Sequence, residues 1–291
     1  MAVTDWNETT FETHRPLLFS IAYRMLGSAS EAEDVVQDAW LRARQDEDAD
    51  VRSPRAYLTT IVTRLCIDHL RSAERTRMVY PGPWLPEPLA EPNQESAALA
   101  SSLTTAFLVL LERLTPTERA VFLLREVFEL DFADIAKTVD KSAANTRQIL
   151  TRARARLQEP RRRFTVPRRE SEDVVRRFRH AVGTGSVEEL MAVLHADATL
   201  VADGGGKAAA ATRPVLGADR IAKFMLGYAG KAQWSELDFQ LVAINGAPGL
   251  LIRHPLSGDG TYSFDIEDGR IRAVYVMRNP DKLRAFIERT R

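Results

Sequence analysis

Between residues 79 and 92 the chain reads VYPGPWLPEPLAEP, with five prolines in that span. Proline lacks a backbone N–H and pins φ, so neither a helix nor a central strand can run through this segment. It is expected to be a stiff, extended connector, and the sequence on both sides carries helical periodicity. Tyr80 and Trp84 give the connector an aromatic surface.

At 291 residues the chain is long enough for two or three domains. Its 45% hydrophobic and 27% charged content is ordinary for a soluble globular protein. The apolar run AFLVLL (106–111) is far too short to span a membrane. No basic-then-apolar leader opens the chain, so a cytoplasmic location with no membrane partner is expected. Cys66 stands alone, which excludes an internal disulfide and a thiolate metal cluster, and no cofactor or metal is expected. The 40 basic and 40 acidic residues cancel overall but are not evenly spread. Arginines dominate from Lys141 to Arg179, and acids dominate from Glu31 to Asp50. Opposed patches suit partners of both charge types.

Residues 11–26 place Leu17, Leu18, Ile21, Ala22, Met25 and Leu26 at helical spacing, ending at Gly27. A second helix is expected over 30–44, with Ser30 as its cap and Val36, Ala39, Trp40 and Ala43 facing inward. Asp34, Gln37, Asp38 and Leu41 then share the opposite face. Ser53-Pro54 opens a third helix, 54–77, apolar early and basic toward its end. Beyond the prolines, Thr115, Pro116 and Glu118 form a capping-box start signal. Residues 131–158 read as helix, tight turn, helix, with Ser142 capping the second helix. Thr146, Leu150, Ala153 and Leu157 form its buried stripe. Asn145, Arg147, Gln148, Thr151 and Arg152 are left on other faces. Amide, hydroxyl and guanidinium groups are the side chains that read base edges in a major groove. Arg154, Arg156 and Arg161–Arg163 extend the positive charge as phosphate contacts do.

From Ser171 the character changes to helices followed by β-like runs at 237–244, 248–256 and 260–280. Asp268-Gly269 is a hairpin-turn signal. An α+β domain with antiparallel strands is expected over 171–291, hinged on RRRFTVPRRE (161–170).

These stretches together resemble the extracytoplasmic-function sigma factors, the dissociable subunits that bring RNA polymerase to promoters. AEDVVQDAWLRA (32–43) resembles the family's polymerase-binding helix, and PRAYLTTIVTRLCIDHLRS (54–72) its promoter-melting helix. Residues 114–157 resemble its upstream-element reader. GPWLPEP (82–88), DGGGK (203–207) and NPDKL (279–283) are similar to the subgroup with a fused SnoaL-like C-terminal domain. The resemblance implies a multidomain chain: sigma region 2 as a helical bundle (1–78), a Pro-rich linker (79–94), and sigma region 4 with a helix-turn-helix (95–163). A cone-shaped α+β SnoaL-like domain (171–291) follows. The chain departs from the family's frequent choices at Tyr57 (often Trp), Arg64 (often Asn) and Thr146 (often Val).

The implied partners are core RNA polymerase and promoter DNA. Asp34, Gln37, Asp38 and Leu41 are the candidate polymerase contacts. Melting a promoter requires aromatic platforms and cationic grooves for the extruded strand. Arg52, Ser53, Tyr57, Arg64, His69, Arg71 and Arg75 are the candidates for the −10 element, and Asn145, Arg147, Gln148, Thr151, Arg152 and Arg154 for the −35 element. Fourteen extended residues reach roughly 40 Å, whereas about 17 base pairs occupy nearly 60 Å. The linker with a flanking helix can bridge that distance while it threads through polymerase.

For the C-terminal domain the resemblance implies a built-in regulator that makes a separate anti-sigma protein unnecessary. Trp84, Asp203, Lys207, Asn279, Asp281 and Lys282 are its candidate regulatory contacts, with the glycines of DGGGK in a surface turn that Asp203 and Lys207 decorate. The alternative is a SnoaL-like small-molecule enzyme, or a sensor with a ligand in its C-terminal domain, fused to a DNA-binding region. Its candidate residues are His195, Asp197, Asp203, His254 and Tyr262.

Overall fold

The computed structural model describes residues 8–45, 53–77, 80–90, 103–157, 168–229, 238–253 and 258–290. The chain divides into two compact units, Met1–Met78 with Leu110–Arg162, and Val79–Val109 with Arg163–Arg291.

The first unit is helical. It contains α1 (Glu8–Leu26), α2 (Ala29–Gln45), α3 (Pro54–Arg77), the end of α4 (Thr105–Leu111), α5 (Pro116–Glu126), α6 (Phe132–Thr138) and α7 (Ala143–Leu157). The expected apolar stripes are buried: Leu18, Ile21, Ala22, Met25 and Leu26 in α1, and Ala32, Val35, Val36, Ala39 and Ala43 in α2. Ser28, not Ser30, caps α2, because the helix starts one residue earlier and Glu31 N donates to Ser28 Oγ at 3.3 Å. Trp40 is only half-buried. The capping box on α5 is complete, with Glu118 N on Thr115 Oγ1 and Thr115 N on Glu118 Oε2. Ser142 caps α7 through Asn145 N at 3.2 Å. Thr146 keeps the buried stripe of α7 intact because its hydroxyl donates to Ser142 O at 2.9 Å. α3 packs on α5 and α6, and α1 on α5.

The second unit is α+β. Its elements are α8 (Arg168–Thr184), α9 (Val187–Val193), β1 (Leu194–Asp203), β2 (Val215–Leu216), α10 (Ala218–Ala229), β3 (Asp238–Ile244), β4 (Ala247–Arg253), β5 (Gly260–Glu267), β6 (Arg270–Met277) and α11 (Pro280–Arg289). The six strands form one sheet in the order β2-β1-β6-β5-β4-β3. The β3–β4, β4–β5 and β5–β6 pairs are antiparallel as expected. The β5–β6 turn is Asp268-Gly269, both at positive φ, as a two-residue hairpin requires. One pair differs from the all-antiparallel expectation: β1 runs parallel to β6. The long connection through α10 reverses the chain before β3, and three hairpins then bring β6 back in the direction of β1.

Side chains alternate across this sheet. Leu200, Ala202, Leu250, Ile252, Val274 and Val276 face α8, α9 and α10 in the main core. Val201, Tyr275 and Met277 face the other way, onto Leu85, Leu283 and Ile287. Leu251, Ile244 and Val242 meet Phe286 and Ala90 on that same side. A sheet covered on both faces explains why β4 reads as a nearly continuous apolar run.

The second cover is α11 together with residues 80–90. Of the expected Pro-rich linker, 79–94, residues 80–90 are described. Its described part is a strap lying in the second unit, with Leu85 buried and Ala90 bridged antiparallel to Ile244. The strap's own prolines block ladder donors, so it adds a bridge at the sheet edge and not a strand. The expected start of the second helical domain at residue 95 lies outside the described residues.

Candidate functional sites

The strap is held at two polar points. At the first, the Asp203 carboxylate ends β1 with 0% exposure and four donors around it. Oδ1 accepts from Tyr80 Oη at 2.7 Å and from Gly205 N at 3.0 Å. Oδ2 accepts from Leu85 N at 2.9 Å and from Lys282 Nζ at 2.8 Å. Four donors match the acceptor capacity of a carboxylate, so this buried group is fully satisfied. Lys282 Nζ also donates to Leu85 O at 2.7 Å. Its ammonium sits 4.1 Å from the Trp84 ring centroid and 5.1 Å from that of Tyr80, within cation–π range. Burial first, and then the hydrogen bond to Asp203, push the Tyr80 phenol above its ordinary value.

Asn279 links this cluster to α11. Its Oδ1 caps the helix through Asp281 N, Pro280 takes the first helical position, and its Nδ2 donates to Tyr80 Oη at 3.0 Å. Lys207 and Asp281 pair on the exposed rim at 2.5 Å, and that contact holds the Asp281 carboxyl below its ordinary value. The loop between them is tightly fitted. Gly205 has φ 57°, and a Cβ there would stand 2.3 Å from Asn279 Nδ2.

At the second point, Asn245 exchanges two hydrogen bonds with Leu89: Asn245 N on Leu89 O at 2.9 Å, and Leu89 N on Asn245 Oδ1 at 2.8 Å. Its Nδ2 donates to Thr105 Oγ1 at 3.2 Å. Asn245-Gly246 is the β3–β4 turn, and an Asn-Gly pair between two apolar runs was the signal that could have found it. Tyr80, Leu85 and Asn245 are the strap contacts that the sequence reading missed.

All six expected residues of the cluster, Trp84, Asp203, Lys207, Asn279, Asp281 and Lys282, come together here. The expectation that Asp203 decorates a surface turn is corrected: it is buried beneath the strap because its carboxylate ties the strap down. Of the described enzyme candidates, Tyr262 lies in the main core and Asp203 beneath the strap. His195 and Asp197 are held near one another on β1, Asp197 N donating to His195 Nδ1 at 3.3 Å, but the Asp197 side chain is exposed. Burial pushes Tyr262 up to about 12. His254 lies outside the described residues.

In the first unit, Asp34, Gln37, Asp38 and Leu41 are all exposed along one face of α2, and Leu41 is 48% exposed. Ser53 caps α3, accepting from Ala56 N at 3.4 Å, and Tyr57 is half-buried in the first turn. Arg71 stands 3.5 Å from Asp68, and His69 Nε2 stands 3.4 Å from Glu31. Arg64 donates instead to two carbonyls of α6, Thr138 O and Lys137 O. Arg52 and the side chain of Arg75 lie outside the described residues, as do Arg161–Arg163. On α7, Gln148, Thr151 and Arg152 are exposed and Asn145 is partly so. Arg147 stacks 5.0 Å over the Phe132 ring, and Arg154 pairs with Glu126 at 2.5 Å. Arg71 of α3 and the exposed Gln148, Thr151 and Arg152 of α7 thus lie on one helical unit.

Comparison with known proteins decides what this arrangement is. Residues 10–76 match Sigma-70 region 2, and residues 104–157 match Sigma-70, region 4. The chain is 36% identical over 286 residues to the ECF RNA polymerase sigma factor SigJ of Mycobacterium tuberculosis, covering 94% of this chain and 91% of that protein. It belongs to the extracytoplasmic-function sigma factors. A probable ECF RNA polymerase sigma factor of the same species, SigI, is 31% identical over 296 residues, covering 97% of each chain. The crystal structure of Mycobacterium tuberculosis SigJ superposes with a TM-score of 0.78 at 31% identity, covering 96% of this chain and 98% of that one.

As an extracytoplasmic-function sigma factor with regions 2 and 4, the chain directs promoter-specific transcription initiation. The expected order of helical sigma domains followed by an α+β C-terminal domain is what the structure contains. Among the described residues, no helix is long and apolar enough to cross a membrane.

Proposed function

We propose that the C-terminal domain of this sigma factor is a built-in regulator, and that it acts by holding the strap. The observation that carries this reading is the donor shell of Asp203. Two of its four donors come from the strap, Tyr80 Oη and Leu85 N, and two from the C-terminal domain, Gly205 N and Lys282 Nζ. A segment tied down in this way cannot at the same time thread into polymerase as a linker between regions 2 and 4. Release of the strap is then the regulated step, and the domain takes the place of a separate anti-sigma protein. The domain works by docking and not by turnover: Asp203, the best-buried of the described candidate bases, has its acceptor positions filled by two donors of the strap and two of the domain itself.

In the same reading, Asp34, Gln37, Asp38 and Leu41 dock on core RNA polymerase. Ser53, Tyr57 and the basic residues of α3, with Arg52, hold the melted −10 strand. Asn145, Gln148, Thr151 and Arg152 read the −35 element from the exposed face of α7, with Arg147 and Arg154 beside them. These assignments rest on exposure, chemistry and the positions of regions 2 and 4.

The test is run-off transcription with core RNA polymerase on templates that the holoenzyme selects from a random-sequence pool. Full-length protein is compared with Asp203→Asn and Lys282→Met. Point variants are preferable to a truncation near residue 163, which would strip Leu85 and Tyr80 of their partners. A change in transcript yield with the start site unchanged supports regulation through the strap. Equal yield from all three chains, with the strap demonstrably loosened by proteolysis, would remove it.

A further inference from the structure

Region 2 and residues 110–157 of region 4 lie within one compact unit, and arginines make several of the polar contacts between them. A helix ends with four carbonyls that have no partner inside it. In α6, the first helix of the helix-turn-helix, Ile135 O is taken by Val139 N and Ala136 O by Lys141 N. The remaining two, Lys137 O and Thr138 O, accept from Arg64 Nη2 at 2.8 Å and Arg64 Nε at 2.9 Å. Arg64 belongs to α3 of region 2. It caps a region 4 helix with both arms of its fork, where the helix dipole also favours a cation. Thr60, one turn earlier on α3, adds a hydroxyl contact to Thr138 Oγ1 at 3.1 Å.

The reverse contact also exists. Arg119 of α5, in region 4, is 3% exposed and donates to Met25 O at 2.6 Å, in the last turn of α1 in region 2. Glu112 neutralises it at 2.8 Å. Nearby, Arg24 of α1 lies over the Phe128 ring at 5.6 Å. Each region thus supplies a guanidinium that closes a helix end of the other.

We propose that Arg64 and Arg119 form a reciprocal latch that keeps the free sigma factor closed, and that this latch must open before the chain can seat on core polymerase. The geometry requires the opening. Promoter elements about 17 base pairs apart stand nearly 60 Å apart along the duplex. An α3 that is hydrogen-bonded to the helix-turn-helix cannot place the two DNA-reading surfaces at that separation. Arg64 also stands on the α3 face expected to meet the −10 strand, so the latch hides a DNA contact while it is closed. This device lies wholly within the first unit and is independent of the strap, so either can fail without the other.

The test labels full-length protein at Arg55→Cys and Lys141→Cys, on exposed positions of α3 and of the helix-turn-helix turn. Cys66 is buried and its thiol is pushed up by that burial, so it resists labelling at neutral pH. Electron–electron distance measurements are made on the parent and on Arg64→Ala, Arg64→Lys and Thr60→Val. Arg64 is exposed enough that its truncation leaves the core intact. Loss of a two-armed charge-assisted contact shifts the open-to-closed ratio by about tenfold or more. Arg64→Ala is therefore expected to give a longer, broader distance distribution and faster assembly with core polymerase, with Arg64→Lys intermediate. Assembly with core is read without DNA, so any promoter contact of Arg64 does not enter. An unchanged distance distribution in Arg64→Ala would overturn the proposal.

Discussion

Lys282 Nζ stands 2.8 Å from Asp203 Oδ2, with the carboxylate side chain fully buried and the lysine side chain 10% exposed. Their pairing is completed by the strap, because Leu85 offers its N–H to Asp203 and its carbonyl to Lys282. One backbone residue thus closes a ring of three hydrogen bonds with an ion pair. The strap's stability depends on charges that belong to another part of the chain.

Removing one member of such a pair leaves the other buried without its counter-charge. Lys282→Met is expected to lose about 3–5 kcal/mol from the second unit, read as a shift in urea midpoint. Proteolytic cleavage within residues 80–90 should accelerate in the same variant. Asp203→Asn combined with Lys282→Met should cost less than the sum of the single changes, because the orphaned charge is gone.

Glycine substitutions should differ in sign with position. Gly205→Ala puts a Cβ at φ 57° and 2.3 Å from Asn279 Nδ2. Asn279 cannot withdraw, since it caps α11 and donates to Tyr80. The expected loss exceeds about 1 kcal/mol. Gly183→Ala, in α8 with nothing within 4 Å of the added Cβ, should instead gain up to about 1 kcal/mol. Thermal melts of the two variants check the opposite signs.

Alkaline pH should loosen the strap. Tyr80 has its pKa raised from 10.0 by burial and by Asp203. A raised folded pKa means the folded state prefers the protonated phenol. Its contribution is complete below pH 10 and is lost as pH rises above that value toward the folded pKa. Tyrosinate absorbance should therefore show a late-ionising tyrosine that disappears in Tyr80→Phe. The variant should also lose part of the protein's alkaline destabilisation, with the remainder including Tyr262, whose phenol is pushed up to about 12.

Much of this architecture is written in local patterns. The Thr115–Glu118 box, the Ser142 cap and the buried stripe through Thr146 each follow from residues within a few positions of one another, and each is present. The cluster residues Asp203, Asn279 and Lys282 were legible only as family motifs, and nothing in their spacing shows that one carboxylate gathers them. Three things were not legible, for one physical reason. Arg64 bonds the carbonyls of Lys137 and Thr138, Arg119 that of Met25, and Asp203 the N–H of Leu85. Backbone partners carry no side-chain signature, so an arginine on a helix looks the same whether it meets DNA or a helix terminus. The parallel β1–β6 pairing was hidden similarly, since alternation identifies a strand's faces and not its neighbour.

The exposed face of α2 separates two kinetic effects. Asp34 and Asp38 are one turn apart and solvent-exposed, while Leu41 on the same face is 48% exposed. Rim charges act mainly on encounter, and an apolar anchor acts mainly on residence time. Asp34→Lys with Asp38→Lys should slow association with core RNA polymerase by about tenfold at low salt, and by less at high salt, where screening already weakens the attraction. Leu41→Ala should leave the association rate and its salt dependence nearly unchanged and speed dissociation several-fold. None of these exposed positions contributes to the core of the first unit, so melting temperatures should stay close to the parent's. Binding kinetics on immobilised core polymerase at two salt concentrations distinguish the outcomes. If charge reversal left both rates unchanged, α2 would not be the docking face.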